Sequence, residues 1–221
     1  AVRILVTGAA GYIGSALVPF LQEQGHSVMR YDLANGHDIR DTMTLSRAMA
    51  SGREAVVHLA SISSDAACQR FEPLAQSINV DAVAGVVESA RMVGVKRFIY
   101  VSSAAVYGST DEPATETFPL QPTTIYARHK AEGEQIVFRH ASPEFCCVVL
   151  RPASVCGVSP NMRFDTTVNM MVNHAVRNGV ITVHGGKQRR PSLHILDMLE
   201  AIDALLVATA SKVNGQAFNL S

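Results

Sequence analysis

Apolar and polar residues follow one another along the chain in blocks that predict strands and helices in turn. Short apolar runs are typical of strands buried in a parallel sheet, whereas apolar residues spaced three and four apart indicate helices. The predicted strands are 2–6, 27–31, 55–60, 97–101 and 146–150. The first predicted helix begins near residue 16, the second ends near residue 50, and the next two cover 74–93 and 124–139. This alternation predicts an α/β fold in which right-handed crossovers place helices on both faces of a doubly wound parallel sheet.

The pattern changes after the fifth predicted strand. The elements expected there are a helix from 162 to about 178, a short strand at 180–184, a turn, a second short strand near 192–195, a helix to about 210 and a late strand at 216–221. Short strands and a glycine turn interrupt the earlier alternation. We therefore expect residues 159–221 to form mostly a smaller C-terminal cap, with some segments returning to the main sheet.

A glycine-rich turn joins the first predicted strand to the first predicted helix. Its three glycines are Gly8, Gly11 and Gly14. In a turn of this spacing, the first glycine permits a tight turn, the second lets the backbone approach a pyrophosphate, and the third lets the helix pack closely. The N–H groups at the start of the helix can then bind phosphates. The turn predicts a bound dinucleotide in a Rossmann-like domain, which we place at residues 1–158.

An acidic residue ends the second predicted strand. Asp32 follows the glycine turn at about the 20-residue spacing expected of the acid that binds the adenosine ribose. A carboxylate there accepts hydrogen bonds from both ribose hydroxyls and repels a 2′-phosphate. The sequence therefore predicts NAD rather than NADP as the cofactor.

The charge balance argues against two classes of partner. Nineteen basic residues offset nineteen acidic ones, so the chain lacks the positive field that holds nucleic acid or an anionic membrane. We find no apolar run of bilayer-spanning length and no signal-peptide pattern. We expect a cytoplasmic enzyme with neither a nucleic-acid nor a membrane partner.

The cysteines and histidines do not predict a metal site. The four cysteines match neither a zinc site nor a disulfide framework in their spacing. Cys146 and Cys147 are neighbours in a predicted strand, so they should point to opposite faces as small buried side chains. His184 and His194 have no supporting carboxylate or cysteine spacing. We therefore expect no metal.

Tyr126 and Lys130 lie four residues apart at the start of a predicted helix, so they share one face. A tyrosine has an ordinary pKa of about 10 and is a poor base near neutrality. A neighbouring ammonium favours the phenolate, so we expect Lys130 to lower the pKa of Tyr126. Ser102 and Ser103 follow a predicted strand, and ligands in such sheets bind beyond the carboxyl ends of the strands. These side chains predict an oxidoreductase-type site beside a nicotinamide.

The motifs together resemble one enzyme family. They are the turn at 7–14, Asp38 with Ile39, the segment 58–60, Asn79, the segment 101–108, the segment 126–130 and the segment 150–152. In this order they are similar to those of the extended short-chain dehydrogenase/reductases. Within that family, the chain resembles the NAD-dependent epimerase/dehydratase group of the UDP-glucose 4-epimerase type, which acts on nucleotide sugars.

The resemblance implies roles for individual residues. Ser103, Tyr126 and Lys130 would be catalytic, with Tyr126 as the acid/base and Ser103 bonded to the reacting sugar oxygen. The substrate contacts implied are Ser103, Tyr126, Ser154, Arg163 and Arg190. The cofactor contacts implied are Gly8, Gly11, Tyr12, Ile13, Gly14, Asp32, Leu33, Asp38, Ile39, Leu59, Ala60, Ser61, Asn79, Ser102, Tyr126, Lys130 and Pro152. Arg163 has a second interpretation, because Asp165 or Asp197 is an available ion-pair partner.

The favoured activity is an NAD-dependent nucleotide-sugar 4-epimerase that works through a 4-keto intermediate. The resemblance implies that a 4,6-dehydratase would have an Asp-Glu pair at positions 104–105. This chain has Ala104 and Ala105, whose methyl groups cannot transfer protons, and this argues against dehydration. The alternatives are a nucleotide-sugar or sugar oxidoreductase with net cofactor turnover, and an NAD-binding protein without turnover.

The resemblance also concerns assembly and extent. Family members often form homodimers through two helices, for which 74–93 and 124–139 are the candidates. They continue beyond the late strand, so we expect the cap to be incomplete at its C-terminal end. The identity of the sugar stays open, because Ser154 stands where 4-epimerases usually have an asparagine.

Overall fold

The computed structural model describes residues 1–183 and 185–221. The strands are β1 (Arg3–Thr7), β2 (Ser27–Tyr31), β3 (Ala55–His58), β4 (Arg97–Val101), β5 (Cys146–Pro152), β6 (Ser154–Cys156), β7 (Ser192–His194) and β8 (Gln216–Leu220). The helices are α1 (Tyr12–Glu23), α2 (Thr42–Ala50), α3 (Asp65–Arg70), α4 (Glu72–Gln76), α5 (Ala82–Met92), α6 (Ile125–Phe138), α7 (Thr167–Asn178), α8 (Ile195–Val207) and α9 (Ala210–Val213).

The main sheet is parallel throughout and has the order β2-β1-β3-β4-β5-β8 in the described residues. The chain leaves β1 towards one edge and later returns to its other side with β3, so the strand order reverses at β1. Thr7 is in register with Tyr31 of β2 and His58 of β3. The carboxyl ends of these three strands are therefore level, and this switch point is where such sheets bind ligands.

Two apolar layers cover the sheet. Alternate strand residues point to opposite faces, so Ile4 and Val6 pack with α1 and α8 while Leu5 packs with α2 and α5. Cys146 lies in the first layer and Cys147 in the second, and both are free thiols. The predicted doubly wound α/β fold is confirmed.

Several predicted boundaries differ from the observed ones. The helix predicted at 74–93 is divided into α4, a π-helical turn (Ser77–Asp81) and α5, and the helix predicted from 162 begins at Thr167. The strand predicted at 180–184 is wrong, because Val180 to Val183 are exposed and pair with no strand among the described residues. His184 lies outside the described residues.

The C-terminal segment contributes to both parts of the molecule. β6 and β7 form a separate two-stranded sheet, whereas α8 packs on α1, and β8 extends the main sheet beside β5. The proposed division at 158/159 remains a prediction. Among residues 1–183 and 185–221, none of the helices has the length and apolar composition needed to cross a lipid bilayer.

Candidate active site

The glycine turn after β1 is packed too tightly for side chains. Gly8 has a φ of +69°, and a Cβ there would lie 2.7 Å from the backbone nitrogen of Ala60. A Cβ on Gly14 would lie 2.1 Å from the carbonyl oxygen of Gly8. The close packing predicted for Gly14 is therefore present. Because the first N–H groups of a helix have no partner within the helix, the start of α1 offers donors at the switch point.

Asp32 is held beside this turn. Its Oδ2 accepts a hydrogen bond from the Ala10 N–H at 2.9 Å, and its Oδ1 accepts one from the Ala34 N–H at 2.8 Å. An ionised carboxylate has about four acceptor positions, so two remain for ribose hydroxyls. The backbone bonds fix the orientation of the carboxylate.

A second group of predicted residues forms the far end of the cleft. Ile39 is buried, whereas Leu33 is exposed at the rim. The guanidinium of Arg40 donates from Nε to the Asp38 carboxylate at 3.0 Å, and this bond holds the pKa of Asp38 below its ordinary value. The loop after β2 is therefore braced by an Asp-Arg pair at this end.

Most of the predicted cofactor residues share one cleft of about 990 Å³. Residues from the ends of β1 to β5 line it, together with Arg163 and Arg190. Asn79 is not among the described residues that line it, so its contact with the cofactor stays a prediction. Asn79 is buried, its Oδ1 accepts from the Ile62 N–H at 2.8 Å and its Nδ2 donates to the Ile62 carbonyl at 2.9 Å. Asn79 therefore shapes the loop after β3 from behind.

The three predicted catalytic residues come together at the ends of β4 and α6. The Thr124 side chain caps α6 by accepting from the Ala127 N–H at 3.2 Å, which starts the helix just before Tyr126. Ser103 and Tyr126 line the same cleft, and Ser103 Oγ accepts a hydrogen bond from the Ala105 N–H at 3.2 Å. Lys130 donates from Nζ to the Val101 carbonyl at 2.9 Å. The helix and the strand end thus place a hydroxyl, a phenol and an ammonium on one wall of the cleft.

The electrostatics of this group differ from the expectation. Burial raises the pKa of Tyr126 to about 12, against the lowering effects of the Arg163 charge and the nearby Ser103 hydroxyl. Burial lowers the pKa of Lys130 to about 8, while the Glu134 carboxylate opposes that change. The prediction that Lys130 lowers the pKa of Tyr126 in the protein itself is therefore wrong. Desolvation dominates, and the cation that favours the phenolate is Arg163.

The segment after β6 lies against the glycine turn. Tyr12 Oη donates to the Gly157 carbonyl at 2.8 Å, and Ser159 Oγ donates to the Tyr12 carbonyl at 2.6 Å. Asn161 Nδ2 donates to the Ala10 carbonyl at 2.8 Å. These bonds bring residues 157–161 to the phosphate end of the cleft.

Arg163 bridges two sides of the cleft mouth. Its Nε donates to Asp165 at 2.6 Å, its Nη1 donates to Ser63 Oγ at 3.0 Å and its Nη2 donates to the Ser63 carbonyl at 2.9 Å. The pairing with Asp165 is the alternative that the sequence left open for Arg163. Most N–H donors of the guanidinium therefore already have a hydrogen-bond partner in the protein. Arg190 and Ser154 also line the cleft, and both are exposed.

Sequence reasoning missed two residues of this region. Ser63 anchors Arg163 from one hundred positions away, and no local pattern signals that pairing. Glu134 lies on the same face of α6 as Tyr126 and Lys130, one turn beyond Lys130. Its four-residue spacing from Lys130 was a signal in the sequence that could have indicated a role for Glu134. The described residues contain no group of three or more His, Cys, Asp or Glu side chains placed to hold a metal ion.

Comparisons with known proteins agree with this geometry. UDP-glucose 4-epimerase 4 of Oryza sativa subsp. japonica is 30% identical over 262 residues, covering 98% of this chain and 71% of that protein. A solved structure described as MoeE5 in complex with UDP-glucose and NAD is 26% identical with a TM-score of 0.88, covering 99% of this chain and 76% of that one.

A dehydratase is also similar. The DesIV double mutant, a dTDP-glucose 4,6-dehydratase from Streptomyces venezuelae solved with NAD and DAU bound, is 26% identical with a TM-score of 0.85, covering 99% of this chain and 75% of that one. A profile described as the NAD dependent epimerase/dehydratase family matches residues 4–221. The chain therefore belongs to the NAD-dependent epimerase/dehydratase family, a family of enzymes of the extended short-chain dehydrogenase/reductase type whose cofactor is NAD.

Proposed function

We propose that the protein is a nucleotide-sugar 4-epimerase that transiently transfers hydride to NAD and passes through a 4-keto intermediate. The observation that carries the proposal is that Ser103, Tyr126 and Lys130 line one cleft that begins at the glycine turn. The similarity to a relative named UDP-glucose 4-epimerase supports the same reaction class. A UDP-hexose or UDP-hexuronate is the substrate class we propose.

The residues at the switch point fit NAD. Backbone atoms occupy the space that a Cβ on Gly8 or Gly14 would need, so the chain packs closely at this turn. The backbone N–H groups at the start of α1 would hold the pyrophosphate. Asp32 retains acceptor positions for the adenosine ribose. Bound NAD supplies a hydride acceptor and the positive charge of the oxidised nicotinamide.

Tyr126 is proposed to hold and return the proton of the C4 hydroxyl. Its phenol and the Ser103 hydroxyl line the same cleft, so we propose that one sugar oxygen contacts both groups. Ser103 steadies that oxygen while the phenolate of Tyr126 accepts the proton. One phenol serves both directions, because the proton removed on oxidation is returned on reduction. The charge of Arg163 favours the phenolate against the effect of burial.

The residues after Ser103 favour epimerisation over dehydration. Ala104 to Tyr107 form a 3₁₀ turn, and Ala105 lines the cleft. Loss of water across two carbons needs an acid and a base in addition to Tyr126, and methyl groups supply neither. We therefore propose an epimerase within this family of epimerases and dehydratases.

Arg190 is proposed as the contact for the substrate diphosphate. It lines the cleft, and a guanidinium fork matches phosphate oxygens. Ser154 is proposed to contact the sugar or its phosphate from the start of β6. Arg163 would add one remaining donor, because its other bonds go to Asp165 and Ser63.

We also propose a homodimer and a cytoplasmic location. Helices α5 and α6 pack side by side on one face of the sheet, so one contact surface can include both. Light scattering coupled to size exclusion would contradict the dimer if it gave the monomer mass. The free thiols of the described cysteines suit a reducing compartment.

The test incubates purified protein, without added cofactor, with UDP-glucose, UDP-glucuronate or their 4-epimers. Products are separated by chromatography, and reduced nicotinamide is followed by its absorbance. We expect interconversion of one epimer pair without net reduction. Tyr126→Phe should lower the rate by about 100- to 10,000-fold, as expected for loss of an acid/base group.

The matched control is Glu132→Gln, which changes an exposed residue of the same helix and should leave the rate unchanged. Steady accumulation of reduced nicotinamide on addition of NAD, without epimer formation, would contradict the proposal and favour a net oxidoreductase. Tyr126→Phe with full epimerase activity would contradict the assigned role of the phenol.

A further inference from the structure

Glu134 is a buried carboxylate behind the wall of the cleft that Ser103, Tyr126 and Lys130 form, and the proposed reaction does not use it. The side chain of Glu134 is 2% exposed and accepts hydrogen bonds from Nε and Nη2 of Arg151, at 3.0 and 2.6 Å. It also accepts a short hydrogen bond from the hydroxyl of Ser102. The Arg151 side chain is 6% exposed. Because an apolar replacement of a buried ion pair is often as stable, the pair needs an explanation beyond stability.

The partners of Glu134 hold the backbone on both sides of Ser103. Ser102 directly precedes Ser103. On the other side, Ser103 opens the 3₁₀ turn that ends at Tyr107, and Arg151 Nη1 donates to Tyr107 Oη at 2.7 Å. One carboxylate therefore connects to both ends of the segment that presents the Ser103 hydroxyl.

Glu134 also belongs to the helix that carries the other catalytic groups. It lies one helical turn beyond Lys130 and two beyond Tyr126, on the same face of α6. The Ser102-Glu134 bond therefore joins the strand end that presents Ser103 directly to the helix that presents Tyr126. Breaking that bond would leave Ser102 without its tie to the helix, although the Lys130–Val101 bond still holds the preceding residue.

We propose that Glu134 is a positioning residue for the reaction proposed above. It fixes Ser103 against Tyr126 through Ser102 and the Arg151-Tyr107 contact, and it places a negative charge beside the Lys130 ammonium. The proposal rests on the proposed function for its kinetic consequences. Its structural and electrostatic consequences are measurable in the protein alone.

The charge beside Lys130 gives a distinctive signature. The ammonium faces Glu134 and Tyr126 on its own helix, Cys68 of α3, His58 of β3 and the ring of Tyr100 on β4. Among these groups, the anion at neutral pH is Glu134. Its carboxylate raises the pKa of Lys130 against the effect of burial. Removal of that charge should lower the pKa of Lys130 further below about 8.

The test compares Ser102→Ala, Glu134→Gln and the exposed control Glu132→Gln. Ser102→Ala removes the Ser102-Glu134 bond and leaves the Lys130-Val101 bond and the Glu134-Arg151 pair in place. We expect it to lower kcat by about 10- to 100-fold, as expected for a misplacement of about 1 Å. The control should match the unaltered protein in each measurement.

Glu134→Gln should also move the alkaline limb of the kcat profile to lower pH, because Lys130 loses its proton earlier. The independent readout is the titration of Lys130 Nζ by NMR in isotopically labelled protein, assigned with Lys130→Arg. A lower Lys130 pKa in Glu134→Gln, together with reduced kcat in Ser102→Ala, would support the proposal. Ser102→Ala with unaltered kcat, or an unmoved Lys130 titration in folded Glu134→Gln, would overturn it.

These outcomes are separable from the proposed function. If the unaltered protein converts no sugar, the proposed function fails, and the Lys130 titration still decides whether Glu134 acts on Lys130. If Glu134→Gln does not fold, the double variant Glu134→Gln/Arg151→Met removes the unpaired cation and carries the titration instead. An unchanged titration there would overturn the proposal.

Discussion

Replacing Gly14 with alanine should damage both stability and cofactor binding. The new Cβ would lie 2.1 Å from the Gly8 carbonyl oxygen and 2.8 Å from Ala9 Cα. Both contacts are to backbone, so no side-chain rotation relieves them. Helix α1 must therefore move away from the glycine turn by about an ångström or more before the contact becomes ordinary.

The expected magnitude combines two opposing terms. Overpacking a well-packed site costs about 1–3 kcal/mol. Alanine recovers about 0.5–1 kcal/mol of helix preference over glycine. The free energy of unfolding should therefore fall by about 1–2 kcal/mol, which lowers the melting temperature of a domain of this size by about 2–8 °C.

Cofactor affinity should fall as well, because the N–H groups of α1 move with the helix. Loss of one charge-assisted hydrogen bond to a phosphate is worth about 1.5–3 kcal/mol. We therefore expect Gly14→Ala to weaken NAD binding by about tenfold or more, measured by calorimetric titration.

The matched control is Gly85→Ala in α5. There the new Cβ would lie 2.8 Å from Thr42 Cγ2, which is a side-chain methyl group that can turn away. We expect this variant to stay within about 0.5 kcal/mol of the unaltered protein. Urea denaturation of both variants decides the matter. Gly14→Ala with the stability of Gly85→Ala and unaltered NAD affinity would refute the packing argument.

Three further predictions concern single side chains. Burial lowers the pKa of His58 to about 3. Below about pH 6.5 the unfolded chain therefore binds a proton that the native protein does not. As the pH falls through this range, the free energy of unfolding should decrease by about 1.4 kcal/mol per pH unit from this site. Urea denaturation at decreasing pH should show this slope, and an equal slope in His58→Gln would contradict it. Tyr100 is fully buried, and its hydroxyl has no hydrogen-bond partner among the described residues. Tyr100→Phe should therefore raise the free energy of unfolding by about 1 kcal/mol. A lower free energy of unfolding in urea denaturation would contradict this. Asp32→Asn should weaken NAD binding and reduce the preference for NAD over NADP, and equal affinity ratios before and after the substitution would show that the carboxylate does not select the cofactor.

The sequence was sufficient where chemistry and spacing are local. Gly8 and Gly14 stand in one turn, and Tyr126 and Lys130 stand one helical turn apart, so their relation follows from the geometry of a turn and a helix. The apolar runs of β1 and β4 similarly predict buried parallel strands. Both faces of these strands are covered, so all their side chains after the first residue are buried.

The sequence was insufficient where the outcome depends on partners distant in the chain. Val180 and Ile181 favour a strand by residue type, but a strand also needs a neighbour to pair with, and the described residues offer none there. The Arg163-Ser63 contact spans one hundred residues and has no local signal.

The pKa of Tyr126 was misjudged for a related reason. Its spacing from Lys130 indicates a neighbouring cation, but the pKa depends on how far the phenol is removed from water. Burial is a property of the folded structure, and here it outweighs the nearby charges. The sequence did not predict the role of Glu134, because its partners are distant in the chain: Ser102 follows β4 and Arg151 lies in β5.

The central claim is that the C4 hydrogen of the sugar leaves as hydride and returns to the same molecule. The most direct test supplies UDP-glucose or UDP-glucuronate with deuterium at C4, without added cofactor, and measures the product by mass spectrometry. We predict a 4-epimer that retains the deuterium at C4, with none of the label exchanged for solvent hydrogen. A product that has lost the label to water, or label that accumulates on nicotinamide without any epimer, would contradict the account.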